Sequence, residues 1–110
     1  MRASHTIVIE RNTVWQDEFV TEPCEVAWAS EAIFFIRALE VHGVRSGNSA
    51  RIQLSPDGIN WCDESDGIRL PIEPEISYHR LTHFGGWLRL AGQLQPGVSM
   101  KVIVYLALKE

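Results

Sequence analysis

The chain has 110 residues, enough for one hydrophobic core hiding roughly 60 to 70% of the unfolded surface and too few for two. Apolar residues make up 45% and charged residues 22%, the balance of a folded globular domain, so folding is expected without cofactor or metal. Ten Lys and Arg stand against fourteen Asp and Glu, a net charge of −4 with no basic cluster, which disfavours nucleic-acid binding by phosphate neutralisation.

The N-terminus offers only the short apolar run Ile7, Val8, Ile9, too short for the core of a secretory signal. Thr6 to Glu10 and Thr13 to Thr21 read as two extended stretches separated by the turn pair Arg11-Asn12, forming either an N-terminal hairpin or a sheet-crossing arm within residues 1–24. Glu25 to His42 has two readings. Ser30 and Gly43 are placed as helix caps, but on a helix Ile33, Phe34, Phe35, Ile36, Leu39 and Val41 scatter around the cylinder. As a strand they sort by parity, with Ile33, Phe35, Leu39 and Val41 on one face and Phe34 and Ile36 on the other, so a strand is expected.

After a polar loop from Arg45 to Ser49, Ala50, Ile52 and Leu54 alternate with Arg51 and Gln53 as a half-buried strand. Ser55-Pro56-Asp57-Gly58-Ile59-Asn60 supplies a tight turn, and Trp61 restarts the chain in the return direction. Asp63 to Gly67 reads as a further turn and Ile68 to Leu70 as a short strand; Pro71 to Glu75 is an acidic loop. Ile76 to His83, Trp87 to Ala91 and Ser99 to Lys109 complete the set. About eight strands at this spacing predict one all-β domain over residues 1–110, a two-sheet antiparallel sandwich or jelly roll.

The longest apolar run, Val102 to Leu108, falls far short of the ~20 residues that span a bilayer, so a soluble protein, cytoplasmic or particle-associated, is expected. Cys24 and Cys62 lack a C-x-x-C spacing and read as buried thiols in a reducing compartment, with a disulfide as the alternative.

Motifs for hydrolytic, zinc-protease and phosphate-loop chemistry are missing, and no enzyme activity is expected. His79 and His83 have H-x-x-x-H spacing, but on a strand four residues separate them by about 13 Å, too far to share one ion. Asp57, Asp63, Glu64 and Asp66 gather acid around one hairpin without EF-hand spacing and read as solvent-facing turns rather than a calcium site. Four tryptophans, Trp15, Trp28, Trp61 and Trp87, leave two readings: packing anchors in a core or interface, or a platform for a glycan.

The last strand carries the main functional expectation. Met100, Val102, Val104, Leu106 and Leu108 make one apolar face, and Ile103, Tyr105 and Ala107 make the other apolar too. A two-layer domain turns only one face of each strand inward. The outward row, expected to be Ile103 and Tyr105 joined by Phe34 and Ile36, calls for a cover: the N-terminal arm or a second copy of the chain. The expected interface residues are therefore Phe34, Ile36, Ile103 and Tyr105, with Thr13 to Thr21 a candidate for exchange between subunits. Asp57, Gly58 and Trp61 are expected to be structural turn residues.

Three stretches recur in an order met elsewhere: Ser55-Pro56-Asp57-Gly58-Ile59-Asn60-Trp61, reading S-x-D-G-x-x-W, then Trp87-Leu88-Arg89-Leu90, then Val102 to Lys109. From Ile33 to Lys109 the chain thereby resembles small β-sandwich proteins of tailed phages and related prokaryotic elements. The resemblance implies a virion or surface-assembly component, repeated many times in a particle, with the chain itself as its partner. A carbohydrate-binding module using exposed tryptophans is the second expectation.

Overall fold

The computed structural model describes residues 3–43 and 48–110, and at 65 and 66 the backbone alone. Most of the loop expected from Arg45 to Ser49, and the side chain of Asp66, therefore lie outside the described residues. The described chain is all-β, with nine strands: β1 Ser4–Gln16, β2 Glu18–Val20, β3 Cys24–Glu25, β4 Glu31–His42, β5 Ser49–Ser55, β6 Cys62–Arg69, β7 Ile76–Thr82, β8 Trp87–Gln93 and β9 Ser99–Lys109. They form two antiparallel sheets, one of four strands in the order β1-β9-β4-β7 and one of five in the order β2-β8-β5-β6, with β3 also on β8. Glu31–His42 is a strand, the reading its parity favoured.

The sheets close on a core that includes Trp15, Phe34, Ile36, Ile52, Leu88, Leu90 and the even-numbered residues of β9 from Met100 to Leu108. Burial in β9 alternates strictly, as a period of two demands. In β4 it does so only up to Ala38. Between Ala38 and Glu40 the register with β9 shifts, so Leu39 is the extra residue of a bulge, and beyond it Val41, opposite Met100, packs against the core.

The N-terminal segment is neither a hairpin nor a cover. Arg11-Asn12 does not reverse the chain; it is a bulge inside one long strand, with Asn12 at a left-handed φ of 52°. β1 runs along the free side of β9, and the chain then crosses to the other sheet at Asp17, φ 53°. The crossing is held by Trp15 stacked on Phe19, ring centroids 4.0 Å apart. Phe19 also explains Gly92: a Cβ there would lie 2.7 Å from its ring and 2.8 Å from the Ser49 carbonyl oxygen. The turn expected from Asp63 to Gly67 is likewise absorbed into β6, where the register against β5 shifts between Ala50 and Ile52.

Candidate functional site

Cross-strand pairing decides which side chains share the outer face of the four-stranded sheet. Val8 pairs with Tyr105, Tyr105 with Phe35 and Phe35 with Tyr78, so one apolar residue from each of β1, β9, β4 and β7 lies in a single row across the sheet. Ile33 and Ala107 are paired on one side of this row. Ile103, Arg37 and Ile76 make the neighbouring row on the other. Tyr78 and Ile76 are each 57% exposed and Val8 37%, while Phe35, Ile33, Ile103 and Tyr105 are half-buried.

This geometry corrects half of the expected interface. Phe34 and Ile36 are 0% exposed and face the core, paired with Leu106 and Val104. Their strand does neighbour β9, but the register places Ile33 and Phe35, not Phe34 and Ile36, beside Ile103 and Tyr105. Both parities of β4 are apolar, so only the partner's phase could decide between them. Tyr78 also belongs to the face; the alternation of Ile76, Tyr78 and Arg80 against Leu81 carried that signal.

The Phe35–Tyr78 part of the row stands between two hollows, the second of which Tyr105 helps to line. Phe35 and Tyr78 lie 6.2 Å apart, centroid to centroid, tilted by 41°, and the Arg80 guanidinium sits 5.5 Å from the Tyr78 ring. A hollow of about 240 Å³ lies on one side, floored by Ile33 and Ala107 and rimmed by Glu31, Arg80 and Lys109. A shallower hollow of about 530 Å³ lies on the other, beside Ile76, Arg37, Leu39 and Glu75.

Elsewhere the expected site residues have local roles. Asp57 Oδ1 accepts from the Asn60 and Ile59 backbone N–H groups, both at 2.8 Å, and from the Ser55 hydroxyl at 2.9 Å, while Oδ2 accepts from the Asn60 amide. The backbone donors of Asn60 and Ile59 lead in holding its carboxyl well below the usual range. Gly58 takes φ 80° and packs against Trp87, whose ring atoms would lie 3.1 Å from a Cβ at that position. Trp61 stands between this turn and β6, and its ring lies under the Arg89 guanidinium, 4.2 Å from centroid to Cζ. Of the four tryptophans, Trp15 is core, Trp61 and Trp87 are half-buried against their neighbours, and Trp28 is exposed at 40%.

Among the described residues no group of three or more His, Cys, Asp or Glu is placed to hold a metal ion. Cys24 and Cys62 are free thiols. Contrary to the expectation of two buried thiols, Cys62 is exposed, whereas Cys24 is half-buried and its pKa is raised by desolvation and then by Glu22.

No family model and no curated protein matches the sequence. Among solved structures, the chain is similar to CpGH89CBM32-5 from Clostridium perfringens, a carbohydrate-binding module solved with GalNAc-β-1,3-galactose: 12% identity, 94% of each chain covered, TM-score 0.48. It is also similar to part of dimeric latent PorU from Porphyromonas gingivalis, at 12% identity and TM-score 0.47, over 99% of this chain and 13% of that one.

Proposed function

We propose that this chain is a non-catalytic structural module that associates with copies of itself through the outer face of its four-stranded sheet. The observation that carries the reading is the row Val8, Tyr105, Phe35 and Tyr78, apolar side chains from four adjacent strands on the side of the sheet away from the core. The chain's own opening segment extends this face along its edge instead of covering it.

A second copy suits the face because the Phe35–Tyr78 pair and a hollow lie side by side. A two-fold axis between them sets each copy's Phe35–Tyr78 pair into the other's Ile33–Ala107 hollow, the self-complementarity that an isologous contact requires. Four strands about 4.8 Å apart, paired over seven residues of about 3.3 Å each, give a footprint of roughly 440 Å² per copy. Two copies then cover on the order of 900 Å², below the roughly 1,000 Å² that specific interfaces clear, so the pairwise contact is weak and gains strength by repetition in an assembly. The resemblance to repeated virion components agrees with such a role.

Size-exclusion chromatography with light scattering tests it. The expected mass rises above the 12.5 kDa of one chain as concentration increases through the micromolar range. A constant single-chain mass up to millimolar concentration overturns it.

A further inference from the structure

We infer that the opposite side of the molecule, the outer face of the five-stranded sheet, binds a neutral saccharide chain through a polar ladder of Arg89, Gln53 and Asp63 beside the indole of Trp61. The register places Gln53 opposite Arg89 on one side and Asp63 on the other. Arg89 Nε donates to Gln53 Oε1 at 2.7 Å, and Gln53 Nε2 donates to Asp63 Oδ1 at 3.0 Å. Arg51 Nε stands 3.4 Å from the same carboxylate oxygen. Three planar groups from three strands are thus fixed in one another's grip.

Their chemistry is mixed in a way that suits hydroxyl groups. The guanidinium supplies only donors, the carboxylate only acceptors and the amide both, whereas a sugar hydroxyl donates and accepts at once. The Arg89 guanidinium carries five N–H donors, gives Nε–H to Gln53 and lies over the Trp61 ring. Arg89 covers one face of the half-buried indole, so the ring takes part through the stacked guanidinium–indole pair and not as a bare platform. Because these side chains are already held, little rotamer freedom is lost on binding. Asp63 in the ladder and the net charge of −4 argue against a polyanion. Four residues along β5 from Gln53, about 13 Å away, Ser49 and Arg69 line a hollow of about 310 Å³, a second contact for an extended chain.

The test is affinity electrophoresis of the purified chain through gels holding galactomannan, xylan, β-glucan or dextran, with polyglutamate and a sulfated polysaccharide as charged controls. At least one neutral polymer is expected to retard the protein with little dependence on salt. Gln53→Ala and Arg89→Lys are expected to weaken that retardation about tenfold while unfolding at the wild-type temperature. Should either variant fold poorly, Gln53→Leu, which keeps the side-chain volume, serves the same comparison. No retardation by any neutral polymer overturns the inference, as does retardation that these variants leave unchanged or that is confined to the charged polymers. The association face lies on the other sheet, so failure here leaves self-association standing.

Discussion

Phe35 stands directly opposite Tyr105 on the outer side of the four-stranded sheet, while one residue along, Phe34 meets Leu106 in the core. The two phenylalanines are adjacent in sequence and belong to different environments, which makes them a sharp probe of the account.

Phe34→Ala is expected to cost about 3–5 kcal/mol, the usual range for emptying a buried aromatic site, read from the urea midpoint. Phe35→Ala is expected to change stability by about 1 kcal/mol or less and to weaken association instead. Equal destabilisation by the two would mean that the outer face is covered within one chain.

Tyr105→Glu places a charge in the middle of the outward row. The variant is expected to remain a folded single chain at concentrations where the wild type associates, as measured by light scattering and circular dichroism. Normal association by the variant would remove this face from the contact.

The Asp57 turn has a pH signature. Its folded-state pKa lies below the unfolded value of about 3.9, so its contribution is complete above that pH and declines as pH falls below it. Asp57→Ala is expected to lower the melting temperature at pH 7, and the gap from wild type should narrow below about pH 4. A gap independent of pH would show that the ionised carboxylate is not what holds the turn.

Cys62 is exposed, whereas Cys24 is half-buried and its pKa is raised by desolvation, so both burial and a reluctance to ionise slow reaction at Cys24. A thiol reagent at pH 8 is expected to modify Cys62 first, with Cys24 lagging until the protein is unfolded. The reverse order, read by peptide mass, would contradict the placement of Cys24 beside β8.

Much of the fold was legible because β9, β5 and the S-x-D-G-x-x-W turn carry local signals: alternation in the strands, and a short carboxylate beside a glycine in the turn. What was not legible depended on partners distant in sequence. The inward phase of β4 is set by its register with β9, since Phe34 and Phe35 are equally apolar, and the bulge at Leu39 then reverses that phase. Asn12 and the residues around Gly67 look like turns because the same left-handed or polar chemistry serves a bulge as well as a reversal. β2 and β3, three and two residues long, are too short to show any period. The Arg89–Gln53–Asp63 ladder exists only once three strands are aligned, and none of those residues stands out alone.

Hydroxyl-radical footprinting of the wild type across a concentration series asks most directly whether the outward aromatic row is where copies meet. Modification of Tyr78, Phe35 and Tyr105 is expected to fall together as concentration rises from micromolar to millimolar, while Ile59, exposed on the turn after β5, keeps its reactivity. Unchanged reactivity of the three aromatic residues in a sample that has associated would contradict the account.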